Sequence, residues 1–208
     1  MFITFEGIEG SGKSTALRLV AARLRARGED PLCTREPGGS TLGRSLRAML
    51  LDGKSRIDPR AELSLFLADR AQHVAEVIRP ALAAGRTVLC DRYADSTLAY
   101  QGYARNLDIT AIIALNNFAT NGLKPDLTLL LDLPVETGLG RALARNEEKG
   151  SALSEGRFDA ESVAFHTAVR NGFLAIARRE NRIRVIDASL PREEVARHCL
   201  DAIDALRP

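Results

Sequence analysis

Gly7-Ile8-Glu9-Gly10-Ser11-Gly12-Lys13-Ser14 is the stretch on which the fold turns. The apolar run Phe2-Ile3-Thr4-Phe5 precedes it, long enough for a buried strand. Leu17, Val20, Ala21 and Leu24 follow it at the i, i+3, i+4, i+7 spacing of an amphipathic helix. Strand, glycine-rich loop and helix, in that order, are the context in which G-x-x-x-x-G-K-S becomes a phosphate site rather than a turn. Glycines let backbone N–H groups converge on phosphate oxygens, and the helix N-terminus adds its positive end. Gly7, Ile8, Glu9, Gly10, Ser11, Gly12, Lys13 and Ser14 therefore form the candidate cradle for a nucleoside triphosphate. In this reading Lys13 reaches the β- and γ-phosphates, and the Ser14 hydroxyl ligates Mg²⁺.

Strand-like and helical segments alternate through the rest of the chain. Pro31-Leu32-Cys33-Thr34 reads as a second strand, and residues 35–39 as a loop leading to a short helix over 41–51. Pro59 opens a long helix with Leu63, Leu67, Val74, Ile78 and Leu82 on one stripe, ending near Gly85. Thr87-Val88-Leu89-Cys90 is a third strand and residues 127–131 a fourth, with helical stretches from Ser96 and Ile109 between them. Pro134 starts a helix that runs into a polar segment over about 145–157. A helix carrying Val163, Val169, Phe173 and Ile176 leads to a fifth strand over 183–186, and a last helix begins near Pro191. Five apolar strands separated by helices predict an α/β fold: a five-stranded parallel sheet covered by helices on both faces. In such folds ligands bind beyond the carboxyl ends of the strands. The Gly7 loop, the Arg35 loop and Asp91 should gather along that edge.

Composition narrows the class. The chain has 208 residues, the right size for one domain with a substantial core, so a single domain over 1–208 is expected. With 29 basic and 27 acidic residues the net charge is only +2, and no global field marks a nucleic-acid binder. No apolar stretch approaches a membrane span and no signal-peptide pattern opens the chain, so a cytoplasmic protein is expected. Cys33, Cys90 and Cys199 are odd in number and widely spaced, without a C-x-x-C pair. Cys33 and Cys90 both lie in strand-like runs and are expected to be small buried hydrophobes.

Two acidic residues end apolar strands and qualify to organise Mg²⁺: Asp91 and Asp132. Asp91 is preferred because Arg92 adds a phosphate-binding guanidinium at the same rim, whereas Asp132 precedes Leu133-Pro134 and reads as a cap for the next helix. Glu9 is an odd charge beside triphosphate. It reads either as a solvated loop carboxylate or as an acceptor for a hydroxyl of a second substrate. Phe66 and Arg70 share a helix face. They suit either core packing with a surface charge, or stacking on a base with bonding to its edge. Arg141, Arg145 and Arg157 flank the polar segment, which reads either as a charged surface loop or as an arginine-bearing lid. A positioned arginine adds roughly 10³–10⁵ in phosphoryl-transfer rate, and a lid excludes water.

Taken together, residues 6–14, Thr34-Arg35-Glu36-Pro37-Gly38-Gly39, Asp91-Arg92-Tyr93, residues 96–102, Lys124-Pro125-Asp126-Leu127 and Arg157-Phe158 closely resemble the motifs of bacterial thymidylate kinases. The resemblance spans the chain in the right order. It implies a three-layer P-loop fold with a short lid, and transfer of the γ-phosphoryl group of ATP to dTMP with Mg²⁺. It also implies that Phe66 stacks on thymine and Arg70 bonds the base edge, with Thr97 and Gln101 lining the pocket. Tyr100 then crowds the sugar's 2′ side, Glu9 accepts the 3′-hydroxyl, and Arg92 and Arg47 hold the acceptor phosphate. Glu36, in the Arg-Glu-Pro-Gly-Gly loop, belongs to the same acceptor site. Similar enzymes are homodimers joined by their long helices.

Some family members carry an arginine where this chain has Gly10, so lid arginines are expected to supply that charge: Arg145 and Arg157, with Arg141 beside ATP. Thr97 stands where serine or asparagine is common, Gly156 where an acid is common, and Glu147-Glu148 make the lid less basic. The implied reaction is direct in-line transfer with Lys13, Glu9, Asp91, Arg92, Arg145 and Arg157 at its centre. The nearest rival is a kinase for another pyrimidine nucleotide. A nucleotide-dependent switch is the rival from another class, and it lacks support: there is no Asn-Lys-x-Asp motif and no Asp-x-x-Gly after either strand-ending aspartate.

Overall fold

The computed structural model describes residues 1–149 and 157–207, and of residues 146–149 the helical backbone alone. Its strands are β1 (Phe2–Glu6), β2 (Leu32–Arg35), β3 (Val88–Asp91), β4 (Leu127–Asp132) and β5 (Ile183–Asp187). All pair in parallel in the order β2-β3-β1-β4-β5. Each strand runs one residue past its apolar stretch and ends on a charged residue: Glu6, Arg35, Asp91, Asp132 or Asp187. Backbone pairing is indifferent to polarity, so the ladder continues to the point where side chains meet the open edge. That is how the sheet delivers charge to its carboxyl end.

Helix α1 (Lys13–Ala26) follows the phosphate loop and α2 (Thr41–Leu51) follows the Arg35 loop, with Ser40 accepting from the Gly43 N–H at its start. The long helix begins as α3 (Pro59–His73), capped by Asp58, widens into a π-helical turn over Val74–Ile78, and ends as α4 (Arg79–Ala83). Sequence periodicity predicts an unbroken α-helix here. Pro80 has no N–H to give and its ring crowds the carbonyl four residues back; the wide turn accommodates it, with the Arg79 N–H bonding Val74 O instead. A second wide turn, Leu98–Ala104, continues the short α5 (Ala94–Thr97) and carries Tyr100 and Gln101. The remaining helices are α6 (Ile109–Thr120), α7 (Val135–Lys149), α8 (Val163–Ala177) and α9 (Arg192–Asp204). The expected polar segment over 145–157 thus begins as helix. Its stretch 150–156, with Gly156, lies outside the described residues, as do the side chains of Glu147 and Glu148.

Both faces of the sheet are covered. Leu17, Val20 and Leu24 of α1 and Val195, Cys199 and Ile203 of α9 pack on Ile3, Phe5 and Leu129. Across the sheet Val74 and Ile78 pack with Phe2, Val88 and Cys90, and Val169, Phe173 and Ile176 of α8 pack with Leu130 and Ile183. Cys90 is buried as expected, but Cys33 is exposed. It lies on β2, the edge strand, whose residues alternate between partly buried and exposed, and only one flank of that strand is covered by a neighbour.

Glu6 shows how the sheet edge is locked. It is fully buried, and Oε1 accepts the Tyr93 N–H at 2.7 Å and the Ser96 N–H at 3.3 Å, while Oε2 accepts the Ser96 hydroxyl at 2.6 Å. The carboxylate at the end of β1 therefore caps the helix that follows β3. Burial, and then the charge of Asp95, push its carboxyl up to about 7 against the pull of Arg92 and the hydrogen bonds. Because this value lies above the ordinary 4.5, the associated stability is fully present below pH 4.5 and is lost as pH rises through about 7. Glu6→Gln keeps the shape and cannot ionise. Its stability relative to the wild type should improve across that window by on the order of 3 kcal/mol. Urea unfolding at pH 4.5 and pH 8 measures this; a difference independent of pH contradicts it.

Candidate active site

Beyond the carboxyl ends of β1, β2 and β3 lies a cleft of about 320 Å³ lined by Glu9, Gly10, Lys13, Ser14, Glu36, Arg47, Phe66, Arg70, Asp91, Arg92, Thr97, Tyr100, Gln101 and Arg145. Residues from widely separated parts of the chain meet there because the parallel topology turns every strand end to one edge. Ser11, Gly12 and Arg141 line a neighbouring, more open hollow with Arg18 and residues 188–192. Gly7 and Ile8 are buried beneath the loop, Ile8 packed in the core.

Lys13 begins α1 and folds back over the loop, its ammonium bonding Gly7 O at 3.0 Å, Ile8 O at 2.7 Å and Ser11 Oγ at 3.4 Å. Burial, and then the charge of Arg92, lower it to about 8, with Asp91, Glu9 and Glu6 pulling the other way. The Ser14 hydroxyl donates directly to Asp91 Oδ2. That pairing brings together the two candidate metal ligands, and a hydroxyl beside a carboxylate is the hard-oxygen donor set that suits Mg²⁺ completed by water and phosphate. Asp132 goes elsewhere. Arg170 holds both its oxygens, at 2.7 and 2.8 Å, and this ion pair accounts for the residue that the sequence suggested as a cap.

Gly10 explains the lack of an arginine in the loop. Its φ is +69°, and a Cβ there would stand 1.9 Å from Gly138 O of α7. A Cβ on Gly138 would in turn meet Glu9 O at 2.6 Å. The start of α7 is packed glycine against glycine on the phosphate loop, which leaves no space for a side chain at position 10.

Arg70 is the hub of the side of the cleft that carries Phe66. It is 1% exposed, and its guanidinium donates to Glu36 Oε2 at 2.8 Å, Thr97 Oγ1 at 2.8 Å, Asn116 Oδ1 at 2.6 Å and Tyr93 O at 3.0 Å. The other oxygen of Glu36 lies 2.9 Å from His73 Nδ1, and His73 Nε2 pairs with Thr34 Oγ1 at 2.7 Å. Glu36 is thus the carboxylate that orients Arg70, a buried cation that needs such a partner. Gln101 is fixed by Glu62, which accepts from its amide at 2.8 Å. Sequence reading missed His73, Asn116 and Glu62; each sits within an ordinary helical pattern, and no local signal separates it from a surface polar residue.

Arg92 joins the two halves. It adopts a left-handed φ of +69°. Its guanidinium donates to Gly7 O at 3.1 Å, Ser96 Oγ at 3.1 Å, Glu9 Oε1 at 2.8 Å and Tyr100 Oη at 3.0 Å. Tyr100 in turn donates to Glu9 Oε1 at 2.5 Å. Burial alone would raise the Glu9 carboxyl, but Arg92 above all, then His166, Lys13 and Tyr100, hold it well below the usual range.

The arginines beyond α7's first turns part company. Arg145 lines both hollows and donates to Asp159 Oδ2 at 3.1 Å. Arg141 donates to Ala188 O at 3.3 Å, next to Ser189. Arg157 instead bonds Leu50 O at 2.5 Å and Glu62 Oε2 at 2.6 Å, away from the cleft lining. Its neighbour Phe158 does line the cleft, with its ring 6.1 Å from Phe66 and 5.6 Å from Tyr100. The Arg157-Phe158 motif marked this place in the sequence, although the arginine drew attention from the ring.

A family model described as thymidylate kinase matches residues 5–199. A thymidylate kinase of Desulfovibrio desulfuricans is 61% identical over 207 residues, covering 99% of this chain and 95% of its own length. One from Nitratidesulfovibrio vulgaris (strain DP4) is 58% identical over 207 residues, with 99% and 92% covered. Among solved structures, the crystal structure of thymidylate kinase from Ehrlichia chaffeensis matches with a TM-score of 0.76 at 33% identity, over 98% of both chains. With a family model matched over residues 5–199 and a relative 61% identical over nearly the whole chain, the chain belongs to the thymidylate kinase family.

Proposed function

We propose that this phosphotransferase moves the γ-phosphoryl group of ATP to dTMP, giving ADP and dTDP, in one in-line displacement. What carries the reading is a single cleft shared by the phosphate loop and the Phe66–Arg70 face, with Arg92 bonded to both sides of it. Two substrates held there react as if in one molecule, and positioning supplies much of the rate. ATP lies along the phosphate loop, with Arg141 and the Ala188-Ser189 turn on its adenosine side. Lys13 exchanges its loop carbonyls for phosphate oxygens, and contact with the polyanion stabilises its charge. Ser14 and Asp91 hold Mg²⁺, which when bound neutralises charge on the transferring group.

Phe66 stacks on thymine, while Arg70, held by Glu36, bonds the base edge, and Thr97 and Gln101 complete the pocket. Tyr100 fills the space a ribose 2′-hydroxyl would need. Glu9 accepts the 3′-hydroxyl, and Arg92 with Arg47 holds the acceptor phosphate. That phosphate is ionised near neutral pH, with its second pKa about 6, so it attacks without a strong general base.

Arg145 is the arginine best placed to neutralise the transition state, since it borders both the phosphate loop and the acceptor cleft. Arg157 acts through Glu62, and hence Gln101, on acceptor affinity. Arg145→Ala should lower kcat on the order of 10³-fold. Arg157→Ala should keep kcat within about tenfold while raising KM for dTMP. Steady-state kinetics decides, and equal losses of kcat in the two variants contradict the assignment.

The chain acts as one domain and as a homodimer in the cytoplasm. No helix among the described residues is long and apolar enough to cross a membrane. The dimer reading rests on α6, which packs beside α3 and exposes Ile113, Leu115 and Phe118, the last at 86%. An aromatic ring so exposed gains from a partner surface. Light scattering should give twice the mass of one chain for the wild type and that of one chain for Phe118→Glu; a wild-type monomer contradicts the dimer.

A further inference from the structure

His166 is fully buried on α8, far in sequence from the phosphate loop. Its Nδ1 lies 3.1 Å from Oε2 of Glu9. Among the described residues neither ring nitrogen of His166, nor Glu9 Oε2, meets a well-aligned hydrogen-bond partner. Two buried polar groups left without other partners and in contact with each other are a pair, because leaving either one unsatisfied is costly. The helix start fixes the ring: Ser162 caps α8 by accepting the Phe165 N–H at 3.2 Å, and the Phe165 ring stands edge-on to the imidazole at 5.6 Å. Phe165 and Phe173 of the same helix also meet the Tyr100 ring edge-on, at 6.1 and 6.2 Å.

Glu9 is therefore held from three directions. Arg92 and Tyr100 both use Oε1. A carboxylate offers about four lone-pair sites on two oxygens. With contacts on Oε1 alone it is free to swing about its last bond; a third contact on Oε2 fixes its plane. We infer that His166 is a positioning residue that sets the plane of the Glu9 carboxylate and so governs how the enzyme recognises the acceptor's sugar hydroxyl. The inference rests on the reading that Glu9 accepts the 3′-hydroxyl of dTMP. It makes α8 a contributor to acceptor selection, although none of its side chains was assigned to the site.

The test compares KM for dTMP and for 3′-deoxy-dTMP, with KM for ATP as reference. In the wild type dTMP should be favoured over the deoxy analogue. His166→Leu, which keeps bulk and loses the donor, should raise KM for dTMP roughly tenfold and leave the values for 3′-deoxy-dTMP and ATP unchanged. His166→Asn, whose amide nitrogen can occupy the place of Nδ1, should recover most of the preference. His166→Met serves as a second donor-free variant if thermal melts show that leucine unsettles the core. A wild type that treats the two acceptors alike overturns the Glu9 reading and the inference with it. A discriminating wild type whose donor-free variants lose both acceptors equally, or lose neither, overturns the role of His166 alone.

Discussion

The guanidinium of Arg92, partly buried and ringed by acceptors, is the constraint on which the arrangement rests. A cation cannot stay in a largely dehydrated site unless its donors are met, and here Gly7 O, Glu9, Ser96 and Tyr100 meet them. Those partners belong to the phosphate loop on one side and to the helix after β3 on the other. The phosphate loop and the segment after β3 are thereby tied to each other through one side chain. Glu6 reinforces the join from below by capping the same helix from the end of β1. Arg92 itself takes a left-handed backbone conformation, an uncommon state for a residue with a side chain. The turn that results aims its guanidinium back over the phosphate loop rather than along the strand.

Arg70, which is fully buried, organises the Phe66 side of the cleft in the same way. Arg70 is tied to Glu36, Thr97, Asn116 and Tyr93 O, and Glu36 is tied onward to His73. The two networks share the stretch from Tyr93 to Tyr100. Their hydrogen bonds tie the lining of the cleft together across segments far apart in sequence. Gly10 and Gly138 bring the start of α7 against the phosphate loop, and Arg145 lies along the helix from that contact, bordering both hollows.

Much of this was legible in the sequence, for identifiable reasons. Apolar runs reveal strands, so all five strands and their helices were found, each strand one residue short because a charged last residue breaks the apolar run but not the ladder. The phosphate loop and Arg92 were legible because their chemistry is local and their spacing fixed. The wide turns at Val74–Ile78 and Leu98–Ala104 were not, since they depart from the 3.6-residue period that identifies a helix. Burial of Cys33 was wrongly expected because apolar neighbours do not reveal that a strand lies at the sheet edge. His73, Asn116, Glu62 and His166 stayed hidden for another reason. Each acts on a group distant in sequence, and only the folded chain creates that proximity. The charge of Arg157 is legible in the sequence, but its bonds to Glu62 and Leu50 O, and the place of Phe158 on the cleft lining, are not.

The claim that one cleft brings ATP and a thymine nucleotide together is tested most directly by ADP release from Mg-ATP with a panel of nucleoside monophosphates and a control lacking acceptor. The account predicts strong stimulation by dTMP, a weaker response to dUMP, little with purine monophosphates and almost none without acceptor. ADP release that no monophosphate alters would contradict it, leaving a nucleotide-binding protein whose Phe66–Arg70 face has some other use.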